Sequence, residues 1–141
     1  MKYFKLIVFL FVLSAVVINC KEDDDPSESS LIIGKWTLVD KTEVEITPQR
    51  KDTLYTLFLP GSFMSFENNG VATINFVESG GTSFSDTSSY VVEGKTLKIG
   101  ELGEDGIYEI TKITKTEMEL YFLDESEAPD YLYSIHIRLK K

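Results

Sequence analysis

The chain has 141 residues, with 14 basic and 23 acidic side chains, one cysteine and one histidine. The first 19 residues hold two lysines and no acid, so the 122 residues from Cys20 onward carry 12 basic and 23 acidic groups, a net charge of −11. That length suits one domain with a modest core. The charge repels phosphate backbones and argues against nucleic-acid binding, and a single cysteine and histidine exclude a disulfide scaffold and a Cys- or His-rich metal centre.

Lys2 and Lys5 precede an apolar run from Leu6 to Ile18. The run is shorter than the roughly 20 residues of a spanning helix and fits the hydrophobic region of a secretory signal. It ends Val17-Ile18-Asn19-Cys20, which resembles the lipobox of bacterial lipoproteins. That resemblance implies removal of residues 1–19 and lipidation of Cys20. Asn19 departs from the pattern, which has Gly, Ala or Ser before the cysteine. Several acyl chains on one residue anchor a protein stably where one would not. Lys21-Glu22-Asp23-Asp24-Asp25 follows, a charge run that self-repulsion keeps extended. Beside the lipid-bearing cysteine it is similar to the acidic export signal of Bacteroidota lipoproteins, which implies the outer face of the outer membrane. Residues 20–30 read as an acidic, Pro/Ser-rich tether and residues 31–141 as the domain.

Leu31-Ile32-Ile33 suits one helical turn before Gly34. Beyond it no 3.6-residue periodicity or long repeat is sustained, and alternating segments between turn signals predict strands. The first covers about 35–46, with Trp36 and Leu38 on one face, and the second about 53–59, stopping at Pro60-Gly61. Strands over 63–67 and 71–77 flank Asn68-Asn69-Gly70, whose residues tolerate positive φ and mark a hairpin. Ala72, Ile74 and Phe76 share one face of the latter. Strands over 82–92 and 96–99 flank Glu93-Gly94-Lys95, and strands over 107–113 and 117–123 flank Thr114-Lys115-Thr116. The last, 131–139, sets Tyr133, Ile135 and Ile137 against Ser134, His136 and Arg138.

Short turns force neighbouring strands to run antiparallel. The expected fold is therefore all-β, an up-and-down meander of about eight strands closing into a barrel, which removes sticky edges and encloses side chains or one small ligand. A sandwich is the competing architecture, but it needs longer Greek-key crossovers than these connections offer.

Gly34-Lys35-Trp36 resembles the Gly-x-Trp motif of lipocalins. The order from there is similar to lipocalin-like domains of Bacteroidota lipoproteins. Phe66–Gly70 forms a hairpin, followed by Tyr90–Ile99 and then Ile113–Leu120, within a stretch of about Leu31 to Leu139. The resemblance implies that Trp36 plugs the closed end of the barrel and that Arg138 packs across its ring.

No catalytic constellation is visible and no cofactor is expected. His136 stands alone, no serine sits in a Gly-x-Ser-x-Gly elbow, and no Gly-rich loop precedes a helix. Asp124–Asp130 reads as a solvated acidic loop, with a weak divalent-cation site as its alternative, although its spacing matches no EF-hand. Ligand binding would reside in the inward aromatics Phe66, Phe76, Tyr90, Tyr108, Phe122 and Tyr133, which serve equally as core in a chain this short. The leading expectation is a surface-anchored, monomeric, non-enzymatic module that binds a small apolar or amphipathic ligand. The alternatives are an interaction module with a packed interior and a glycan-binding accessory protein.

Overall fold

The computed structural model describes residues 28–100 and 106–141. The expected signal segment, the lipid site Cys20 and the acidic run lie outside the described residues. Chain order is α1 (Glu28–Leu31), β1 (Gly34–Thr47), β2 (Arg50–Leu57), β3 (Phe63–Phe66), β4 (Val71–Val77) and β5 (Ser83–Glu93). Then follow β6 (Thr96–Ile99), β7 (Ile107–Ile113), β8 (Glu117–Asp124) and β9 (Leu132–Lys140). The helical turn covers Glu28–Leu31, so it shares Leu31 with the expected turn and ends before Ile32-Ile33.

The sheet order is β2-β1-β3-β4-β5-β6-β7-β8-β9, and β1 also pairs with β9, so the meander closes into an antiparallel eight-stranded barrel. Nine segments make eight staves because β2 and β3 are two halves of one stave. Both run antiparallel along one edge of β1, with Leu57 opposite Asp40 and Phe63 opposite Thr37. The extra residues loop out at Leu59-Pro60-Gly61. Ser62 N donates to Leu59 O at 3.1 Å, and Gly61 adopts φ +99°, a region that side chains other than glycine's strain to enter. Proline, lacking an N–H, fits where the ladder is broken.

A second irregularity sets which side chains face the lumen. Leu38 pairs with Leu139 and Asp40 with Arg138, so Val39 is an extra residue in β1 relative to β9. Side chains alternate with period two, and one inserted residue exchanges the faces. Trp36 and Leu38 point inward below the bulge; Lys41 and Glu43 point inward above it, while Asp40 turns out beside Arg138.

The closed end is a packed layer. Ile32, Trp36, Phe66, Leu97, Met118 and Leu120 are 0–1 % exposed. Trp36 Nε1 donates to Ile32 O at 2.6 Å, so its polar edge is satisfied by the segment that caps the barrel. The expectation for Arg138 is corrected here. Its guanidinium makes a two-pronged pair with the Asp40 carboxylate on the outer surface, with Nε 2.8 Å from Oδ1. The cation over Trp36 is Lys141, whose Nζ lies 4.4 Å from the ring centroid. Strand parity explains the exchange, because Leu139 takes the inward position and places Arg138 outside.

Candidate functional site

Opposite the Trp36 plug the staves part around a cavity of about 380 Å³. Leu38 and Lys41 of β1, Phe58 after β2, and Met64 of β3 form one wall. Ile74 and Phe76 of β4, Phe84 and Asp86 of β5, Tyr108 of β7, and Ile135 and Ile137 of β9 complete it. The volume falls within the range of small-molecule sites, and the lining has their usual chemistry of apolar walls with few polar groups. The cavity opens beside Phe76 and Phe84, which are 37 % and 60 % exposed. The Phe58 and Phe76 rings stack at 5.8 Å, giving that side of the lip a flat aromatic surface. A depression of about 420 Å³ beside α1, lined by Ser29, Ser30, Ile33, Asn68, Gly70, Tyr90, Val91 and Val92, is more open to solvent than the cup.

Of the six aromatics expected inside, Phe76 and Tyr108 line this cavity. Phe66 and Tyr90 belong instead to the packed end, their rings edge-to-face at 5.0 Å, with Tyr90 Oη donating to Glu67 O at 2.9 Å. Burial raises the Tyr90 hydroxyl above its ordinary pKa. Phe122 is 6 % exposed and sits between Tyr108 and Tyr133, at centroid distances of 6.0 and 6.5 Å. Tyr133 lies higher on β9 and donates its hydroxyl to Glu43 Oε1 at 2.6 Å.

Lys41, Asp86 and Phe84 lie in the lining without having been singled out in the sequence. Phe84 and Asp86 carried a readable signal, for they stand six and four residues before Tyr90 on one strand and therefore share its face. Lys41 carried none, because only the Val39 bulge brings it inside. Its ammonium is 3.1 Å from Glu43 Oε2. Burial pushes the Glu43 carboxyl up, but the bonds from Tyr133 and Lys41 outweigh it and hold the group below the usual carboxylate range.

Outside the cup, His136 is on the outer face, 3.4 Å from Glu119. In the acidic loop Asp124 Oδ1 accepts from Ser126 N at 2.8 Å, which lowers its pKa. Among the described residues no three metal-ligating side chains come together.

No protein-family model and no curated protein sequence matches this chain. Solved structures do. A lipocalin-like protein from Bacteroides uniformis superposes with a TM-score of 0.50 at 12 % identity, over 79 % of this chain and 98 % of that one. An uncharacterized protein from Bacteroides eggerthii gives 0.47 at 12 % identity, over 78 % and 99 %. A triple mutant of bovine odorant binding protein gives 0.43 at 11 % identity, over 79 % and 74 %. The meander order, the closed eight-stranded barrel and the first of these superpositions give the chain a lipocalin-like fold.

Proposed function

We propose that this protein is a non-enzymatic binding module that holds a small apolar or amphipathic molecule in the barrel and is tethered by a lipid on Cys20 to the outer face of the outer membrane. The cavity of about 380 Å³ carries the binding half of this reading. A core meant only for stability would fill such a space, since voids of this size forfeit packing energy. The lining is largely Leu, Ile, Met and aromatic, which suits hydrocarbon and leaves recognition to a few polar atoms. The absence of a catalytic constellation in the sequence supports binding over turnover. The apolar run ending at Cys20 and the acidic residues after it support the anchoring half.

Native mass spectrometry of the full chain, purified gently from its host, tests the binding half. A stoichiometric adduct of small-molecule mass is expected, and a clean apoprotein mass after incubation with host lipid extract would transfer the assignment to an interaction module. For the anchor, Cys20→Ser is expected to move the protein from the membrane pellet to the soluble fraction. Retention in the pellet would refute lipid tethering through that residue.

A further inference from the structure

We infer that the cup selects an apolar molecule bearing a cationic amine, with the Asp86 carboxylate as its counter-ion. This rests on the reading of the cavity as a ligand site and names the chemistry of its occupant.

Two charged side chains line the cavity, Lys41 and Asp86. The Lys41 ammonium is committed, 3.1 Å from Glu43 Oε2. Asp86 accepts a hydrogen bond at Oδ1 from Thr87 N at 2.7 Å, and no lysine, arginine or histidine among the described residues pairs with it. The charge left facing the apolar space is therefore negative. A half-buried carboxylate beside hydrocarbon walls gains from a cation placed against it, and a ligand ammonium supplies one. A ligand carboxylate would have to displace Glu43 from Lys41 and then face Asp86.

The approach to the cup has the same sign. Above Lys41 the inner residues of β1 are Glu43 and Glu45, and with Asp52 of β2 they line a depression of about 170 Å³ floored by Leu54 and Tyr133. Glu43 is already paired with Lys41, and Arg50 lies 2.9 Å from Asp52 and 3.9 Å from Glu45, so one negative charge of the three is left over. The whole chain carries −9, so its field draws cations toward this lip and repels anions.

The test is isothermal titration of the full chain in nanodiscs, with empty nanodiscs as the blank, against octylammonium, 1-octanol and octanoate. These have the same total of eight carbons and differ at the head, octanoate spending one of the eight on its carboxylate. Octylammonium is expected to bind about tenfold or more tighter than 1-octanol, with octanoate weakest. Asp86→Asn keeps an acceptor for Thr87 N; it should bring octylammonium to the level of 1-octanol while 1-octanol itself stays within about twofold. Lys41→Met should keep the amine preference. Octanoate binding as tightly as octylammonium, or an amine preference that survives Asp86→Asn, would overturn the inference and leave the apolar cup intact. If the folded protein binds none of the three, both the inference and the ligand reading fall.

Discussion

Lys141 and Trp36 meet at the base of the barrel, where the ammonium of the last residue lies 4.4 Å from the indole centroid. The same Nζ donates to Leu31 O at 3.1 Å and to Ile33 O at 2.9 Å. One side chain thereby joins the end of β9, the segment leading into β1, and the plug between them. Gly34 sits beside it at φ +117°, a backbone conformation that L side chains rarely adopt, and a Cβ there would make only ordinary contact with Lys141 Cε at 3.5 Å. The cation that crosses the tryptophan is thus set three residues beyond Arg138.

Lys141→Met should keep the packing of the stem and remove the charge and both hydrogen bonds. Because the lysine is exposed, a loss of about 1–2 kcal/mol is expected in urea unfolding. Trp36→Ala should cost on the order of 3–5 kcal/mol, as a large ring at 0 % exposure leaves a cavity behind it. Stability within error of wild type in either variant would show that the base is sealed by other contacts.

Asp40 gives the acid limb of stability. Its carboxylate is 2 % exposed although it faces outward, because Arg138 and Tyr55 cover it, Tyr55 Oη donating at 3.2 Å. The Arg138 hydrogen bonds lower its pKa below the ordinary 3.8, outweighing the burial that raises it. Folding therefore releases protons from this group, so its contribution is complete above the ordinary value and is lost as pH falls through the folded one. Asp40→Asn should cost about 1.5–3 kcal/mol at neutral pH and flatten the decline of the urea midpoint below about pH 5. A variant whose midpoint falls as steeply as wild type would assign that limb to other carboxylates.

The two groups of aromatics should respond differently to truncation. Phe66→Ala removes a ring that is 1 % exposed in the packed end and should cost about 3–5 kcal/mol. Phe76→Ala removes a lip residue that is 37 % exposed; it should cost about 1 kcal/mol or less in stability and weaken ligand binding about tenfold. Thermal unfolding and titration of both variants check this. Equal stability losses would mean that the lip is as fully packed as the base.

Most of the architecture was legible because alternation and turn chemistry are local. The bounds of β4, β6 and β7 follow from runs such as Val71–Val77 between Asn68-Asn69-Gly70 and Ser79-Gly80-Gly81. What local pattern cannot carry is register across strands. The Val39 bulge is a relation between β1 and β9, and without it Asp40 reads as a lumen residue and Lys41 as a surface one. Arg138 was misplaced for a related reason, because its distance from Trp36 depends on where β9 ends and which face Leu139 takes. The β2–β3 interruption at Pro60-Gly61 reads as a turn between strands, and only the shared edge of β1 makes the two one stave. The depth of the cup was also hidden, since Phe66 and Phe76 are both aromatic strand residues and differ only in their height along the barrel.

Filling the cup separates ligand binding from folding. Ile135 lines the cavity and is only half-buried, so the larger ring of Ile135→Trp has empty apolar space to enter without displacing a neighbour. Such a ring should leave the thermal midpoint unchanged or raise it, because it replaces a void by contacts. It should also abolish binding of the apolar probe. Leu97→Trp is the counterpart at the packed end, where a residue at 0 % exposure has no room to grow and overpacking should cost about 1–3 kcal/mol. Calorimetric unfolding and probe titration of the two variants distinguish a cup from a uniformly filled barrel. If Ile135→Trp destabilises as much as Leu97→Trp, the space around Ile135 is occupied in solution and the binding assignment fails with it.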